Sequence, residues 1–363
     1  MITTLKFFNE LKEKIPFLDI KKKILDVKIE LPESQIKTLK DLFISWSKNL
    51  PEKYIKGLIV DVLKKPNSEN GKVYEALVYA WLDRHDIRYL PQFHIDQNNC
   101  FKASKQGYDA DGKIEENGLI FDVKQFGLTL PHIETLRRKL QEELPEEFYL
   151  TISGGKNISV QDIKTHFLEK TKDIAQCIMD EKSKLHTDYL YRDRKFGLEF
   201  RANSKENRLI FTSISEFDLF EWAENNQFYF MYHASQFCIN SPYILFCPYD
   251  EQLASLFSTE DRERSFWAFR ALCRRIFMNL TKMDERGITD FDRKAQNGIS
   301  VATAAKKISA IVFLDVTEEF DYQNCRIFVF QNPNADCKIP RYQIDSLFRN
   351  AGATIEDFRF DNY

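Results

Sequence analysis

The strongest constraint on how this chain folds is a hairpin pattern between Gly107 and Phe126. Its first arm reads Gly107-Tyr108-Asp109-Ala110-Asp111-Gly112-Lys113-Ile114 and its second Leu119-Ile120-Phe121-Asp122-Val123-Lys124-Gln125-Phe126. Between them stands Glu115-Glu116-Asn117-Gly118, and Asn-Gly favours the left-handed backbone that tight hairpins need. Side chains alternate along a strand, so Asp109 and Asp111 share one face of the first arm, as Asp122 and Lys124 do on the second. A two-residue turn opposes Asp111 to Lys124; a four-residue turn opposes Asp111 to Asp122 and Asp109 to Lys124. Either gathers carboxylates and lysine on one face, whereas a three-residue turn separates them.

Carboxylates facing each other across a hairpin repel unless a cation lies between them, and a hard divalent ion is the natural partner. Mg²⁺ takes one or two carboxylates together with waters and phosphate oxygens, so an Asp pair beside a Lys suits metal-assisted phosphodiester hydrolysis. Here Asp109 and Asp122 are expected to hold Mg²⁺, with Mn²⁺ as a substitute and Asp111 as a spare ligand. Lys124 is expected to orient the attacking water or to offset charge growing on the phosphate. Upstream, Glu75, Val78, Tyr79 and Leu82 recur at helical spacing, which puts Glu75 at the border of an apolar face. A carboxylate there costs free energy unless paired or metal-bound, so Glu75 joins the candidate set.

A helix bearing Glu75, an Asp-bearing strand and then Asp122-x-Lys124 on its partner strand resemble the PD-(D/E)xK nucleases, the restriction-endonuclease-like superfamily. The resemblance covers about residues 66–150. It implies an α/β core with a mixed central sheet flanked by helices, a divalent-metal mechanism and hydrolysis of DNA. It carries Glu75, Asp109, Asp122 and Lys124 over as active-site residues and Gln125 as a substrate contact. No Pro precedes Asp109, and Asp111 competes with it for the metal position. The expected organisation is a helical region over 1–65, the nuclease core over 66–250 and an α/β region over 251–363. The expected activity is that of a Mg²⁺-dependent DNA endonuclease serving restriction or defence, acting as a homodimer because two strand cuts call for two sites.

Asp-x-Lys alone is a common tripeptide, recurring for instance at Asp26-Val27-Lys28, which has no preceding Asp-bearing hairpin arm and no upstream Glu helix. Calcium binding of the EF-hand type fails, since Gly at position six and Glu at position twelve from Asp109 are Ile114 and Ile120. Gly154-Gly155-Lys156 lacks the first Gly and the Ser/Thr of a phosphate loop and reads as a turn. The seven cysteines are odd in number and none are spaced as zinc ligands, and the six histidines show no ligand spacing.

A formal net charge of -3 leaves polyanion binding to a local patch. Arg264, Arg270, Arg274 and Arg275, with Trp267, fall largely off the apolar stripe Phe269, Leu272, Cys273, Ile276 and Leu280 of an expected helix. They are the candidate nucleic-acid contacts, against the competing reading of a solvated charged face. No apolar run is long enough to span a membrane, and residues 1–14 lack the uninterrupted apolar stretch of a signal peptide, so a cytoplasmic protein is expected. A different class remains open: a non-catalytic nucleic-acid-binding or interaction protein on a nuclease scaffold.

Overall fold

The structure is a computed structural model that describes residues 10–15, scattered positions between 40 and 59, 71–100, 107–124, 129–145, 148–154, 163–182, 189–193, 198–204, 219–249, 263–282, 299–316 and 325–358. Asp26-Val27-Lys28, the Gly154-Gly155-Lys156 turn beyond Gly154 and Gln125 lie outside these residues.

Among the described residues the strands are β1 (Tyr89–Ile95), β2 (Tyr108–Ile114), β3 (Ile120–Val123), β4 (Phe148–Gly154), β5 (Tyr189–Asp193), β6 (Leu198–Ser204), β7 (Tyr243–Tyr249), β8 (Ala310–Asp315), β9 (Ile327–Gln331) and β10 (Thr354–Asp357). Residues 10–14 are helical, and the α-helices with defined bounds are α1 (Gly71–Arg84), α2 (Thr129–Glu142), α3 (Thr171–Lys182), α4 (Leu219–Asn226), α5 (Glu263–Arg274), α6 (Val301–Lys307) and α7 (Arg341–Ile344).

The chain divides into two compact units, one of residues 1–126, 228–254 and 273–363, the other of residues 127–227 and 255–272. In the first, seven strands form one sheet in the order β1-β2-β3-β7-β8-β9-β10. The sheet is mixed: β1, β2 and β3 pair antiparallel, β3-β7 and β7-β8 parallel, β8-β9 antiparallel and β9-β10 parallel. The segment expected as an α/β region over 251–363 supplies three strands of the hairpin's own sheet. Parallel pairing of β3 with β7 needs a long crossover, and the chain between them carries the larger part of the second unit.

Helix α1 covers this sheet, and its residues 74–82 are all buried. Tyr74, Leu77, Val78 and Trp81 pack with Ile114, Phe121, Phe246, Val312 and Val329 of the strands and with Phe348. A helix enclosed on every side has no polar stripe, which is why its 3.6-residue pattern is weak in sequence. Strand β7 is likewise buried at all of its positions, as expected of a strand covered on both faces.

The second unit has its own three-stranded sheet, β4-β6-β5, antiparallel throughout. Leu136, Leu140, Ile174, Ile178, Leu198 and Phe200 belong to its core. A π-helical turn over Ile163–Leu168 ends in a break before α3. Among the described residues no helix is long and apolar enough to cross a membrane.

Gly112 fixes how closely the hairpin approaches its own core. A Cβ placed there would lie 2.4 Å from Phe121 Cζ and 2.7 Å from Cε1. Phe121 is wholly buried and meets Phe246 edge-on at 5.4 Å, so it has no room to yield. Gly112→Ala should destabilise the fold by about 1–3 kcal/mol in denaturant titration, the usual cost of overpacking; a change within about 0.5 kcal/mol, typical of an unconstrained surface site, would contradict this packing.

Candidate active site

The hairpin closes through a four-residue loop. Ile114 N–H donates to Leu119 O at 2.8 Å and Gly118 N–H to Ile114 O at 2.9 Å, with Gly118 at φ 71°. The register Gly112↔Phe121 and Lys113↔Ile120, carried one residue further, sets Asp111 opposite Asp122. Regular pairing stops there. Asp111 N–H donates to Asp122 Oδ1 at 3.0 Å, and Val123 N–H donates to Asp111 Oδ2 at 2.7 Å. Each carboxylate has captured the backbone of the opposing strand.

Asp122 is fully buried because β3 lies between β2 and β7 in the sheet. Its Oδ2 accepts from Tyr108 Oη at 3.2 Å and stands 3.1 Å from Lys124 Nζ. Lys124 in turn donates to Gln236 Oε1 at 3.3 Å. The Tyr243 hydroxyl is also buried and lies beside Asp122. Burial and the charge of Asp122 push both the Tyr108 and the Tyr243 phenols far above their ordinary range, so both remain neutral donors.

Glu75 enters from α1, buried, in an ion pair with Lys72 one turn earlier. Its Oε1 accepts from Gln92 Nε2 at 3.0 Å. Tyr79, one turn later on the helix, puts its hydroxyl 3.0 Å from the same Oε1 and 2.6 Å from the Asp111 carbonyl oxygen. Tyr79 thus ties the helix carboxylate to the strand that carries Asp111. Its ring is stacked on Tyr89 at 5.0 Å, which fixes the hydroxyl's direction.

The sequence expectation placed Asp109 beside Asp122; the structure places Asp111 there. Asp109 is the cross-strand partner of His94 on β1, which stands at the edge of the sheet. Its side chain is 62% exposed and lies 2.7 Å from His94 Nδ1. The physical reason lies in the register: the four-residue loop sets Asp111 against the central strand and leaves Asp109 facing solvent beside the edge strand.

Asp111, Asp122 and Glu75 bring three carboxylates together against Lys124 and Lys72. Burial, then the charges of Asp122 and Glu75, push the Asp111 carboxyl up to about 8, only partly offset by the Val123 N–H and Lys124. The cluster is short of positive charge. Among the described residues no group of three or more His, Cys, Asp or Glu side chains is placed to hold a metal ion. A Mg²⁺ site needs less, since waters and phosphate oxygens complete its shell. Asp111 Oδ1 accepts no hydrogen bond from the described residues, and with Asp122 it gives a donor set that suits a hard cation.

Of the expected nucleic-acid contacts, Arg270 lies on α5 with its guanidinium 5.8 Å from the centroid of Trp267, which is 50% exposed. Arg264 is on the same helix, Arg274 ends it, and Arg275 opens the π-helical turn that follows. Phe269, Leu272, Cys273, Ile276 and Leu280 are buried as the stripe requires. Tyr79 was legible in sequence only as an apolar-face residue, four positions after Glu75. Gln92, Tyr108, Tyr243 and Gln236 carried no signal, because each reaches the site through sheet pairing or from distant sequence.

A carboxyl raised in the folded state stays protonated while its unfolded counterpart ionises, so its contribution to stability falls as pH rises from about 4 to about 8 and is constant above. Asp111→Asn should therefore raise the melting temperature of the metal-free protein at pH 8 and leave it nearly unchanged at pH 4; equal shifts at both pH values would contradict the repulsion described. Comparison of the chain with protein-family models, curated proteins and solved structures finds no match.

Proposed function

We propose that this protein is a divalent-metal-dependent endonuclease that hydrolyses DNA phosphodiester bonds, with Asp111 in the place first assigned to Asp109. The observation that carries the reading is the pairing of Asp111 and Asp122 across the hairpin, with Lys124 Nζ 3.1 Å from Asp122 Oδ2. Asp111 and Asp122 would hold Mg²⁺ or Mn²⁺, with Glu75 supporting them through Tyr79. When bound, the ion supplies Lewis-acid polarisation of a phosphate oxygen.

The remaining steps belong to the chain's own groups. Lys124 is held by Asp122 and Gln236, so its ammonium is fixed in direction before substrate arrives, as electrostatic stabilisation of a developing charge requires. It orients the attacking water or offsets charge on the phosphate. Arg264, Arg270, Arg274 and Arg275 would take backbone phosphates, replacing condensed counterions. DNA as the substrate and a restriction or defence role rest on the superfamily resemblance, and cutting both strands calls for a homodimer.

One observation favours the non-catalytic reading. Both oxygens of Asp122 already accept hydrogen bonds, from Asp111 N–H and Tyr108 Oη, with Lys124 alongside. That is how a purely structural buried carboxylate is satisfied. Purified protein incubated with plasmid, linear, single-stranded DNA and RNA, with metals varied, separates the readings. Cleavage should require Mg²⁺ or Mn²⁺, stop with EDTA, and fall about 10²–10³-fold in Asp111→Ala, Asp122→Ala and Lys124→Ala, the usual loss for a preorganised charge partner. Asp109→Ala and Asp26→Ala should retain activity. Nucleic-acid binding without cleavage in any metal would establish the non-catalytic reading instead.

A further inference from the structure

The edge strand β1 contains the one described residue in a sheet, other than glycine, with a left-handed backbone: Gln92, at φ 49°. Such a conformation is costly for a residue with a Cβ and persists where surrounding contacts enforce it. The pairing of β1 with β2 is broken at the same place. Partners run Tyr89↔Ile114, Leu90↔Lys113 and Pro91↔Gly112, then resume at Phe93↔Ala110, so that Gln92 and Asp111 face each other unpaired.

Hydrogen bonds alternate along an antiparallel ladder. Glu115 N–H donates to Arg88 O at 3.0 Å, which makes 88 and 115 a bonded pair. By the two-residue repeat, 90 with 113 and 92 with 111 are bonded positions as well. A regular strand would thus have exchanged both backbone bonds between Gln92 and Asp111. Instead the Asp111 N–H goes to Asp122 Oδ1, and the Asp111 carbonyl accepts from Tyr79 Oη. The Gln92 side-chain amide meanwhile donates to Glu75 Oε1 at 3.0 Å, the same oxygen that Tyr79 approaches.

From these observations we infer that Gln92 is a positioning residue: its left-handed backbone releases Asp111 from the ladder, and its amide locks Glu75 against Tyr79, so that Asp111, Asp122 and Glu75 are held together. The inference rests on the proposed function for its consequence and on the hydrogen bonding alone for its geometry. Asp122 Oδ1 could not keep the Asp111 N–H if β1 and β2 paired without interruption, because that N–H can serve only one strong acceptor. Tyr79 completes the arrangement from the helix side.

The test compares wild type with Gln92→Gly, Gln92→Ala and Tyr79→Phe, the last keeping the ring that stacks on Tyr89. Glycine accepts φ near 50° without penalty, so Gln92→Gly should melt at or above the wild-type temperature. Its Mn²⁺ affinity, measured by calorimetry, should nevertheless fall about tenfold, and the hydrogen exchange of the Asp111 amide should change. Tyr79→Phe should weaken Mn²⁺ binding similarly, and the Gln92→Ala/Tyr79→Phe double variant should lose little more than either alone, as members of one network do.

Wild-type Mn²⁺ affinity together with wild-type Asp111 exchange in Gln92→Gly overturns the inference. Should wild type bind Mn²⁺ but cut no nucleic acid, the nuclease reading fails while the positioning role stands on affinity and exchange. Should wild type bind no Mn²⁺, exchange at Asp111 alone decides: a change upholds the positioning role, and none removes it.

Discussion

Two carboxylates facing each other inside a sheet are the constraint around which this molecule is arranged. Asp111 and Asp122 meet at 3.0 Å and 2.7 Å through each other's strand amides, in a place where water does not reach Asp122. Backbone N–H groups and Lys124 offset part of the repulsion, but not all of it, and the Asp111 carboxyl is raised accordingly. Folding has assembled a site that is electrostatically unsatisfied on its own. Such local conflicts are tolerated where they serve binding or chemistry and are sustained by the rest of the fold.

Here the support comes from the seven-stranded sheet and the enclosed helix. Strand β3 has β2 and β7 as neighbours, which buries Asp122, and Trp81, Tyr74 and Leu77 pack α1 so that Glu75 is buried as well. Trp81 stacks on Phe348 at 5.8 Å, which ties the helix to residues far along the chain. The distortion at Gln92 is affordable in the same sense: it sits on the edge strand, where one interrupted pair does not propagate through the sheet.

The hairpin itself was legible in the sequence. Asn117-Gly118 marked the turn, alternation marked the two arms, and Asp122 with Lys124 emerged on one face because the side-chain period of a strand is two. The buried strands β8 and β9 are short apolar runs in the sequence, Ala-Ile-Val-Phe-Leu and Ile-Phe-Val-Phe. The choice between Asp109 and Asp111 was not, since both have the same parity and only the turn length separates them. Glu75 stood out as a carboxylate at the edge of an apolar pattern; its partners Gln92 and Tyr79 did not, because a glutamine and a tyrosine have many ordinary uses.

What the chain's own sequence determined was local: a turn where Asn-Gly adopts positive φ, strands where alternation and β-branched residues favour extension, and which acids share parity. What only the tertiary structure decided was which of those acids meet. That depended on a four-residue loop, on β7 arriving from residue 243 to cover Asp122, and on three strands from residues 310–357 joining the same sheet. The reason is physical: periodicity is set by neighbours along the backbone, whereas burial and charge repulsion are set by residues brought close in space, and the free energy of a carboxylate depends on the second.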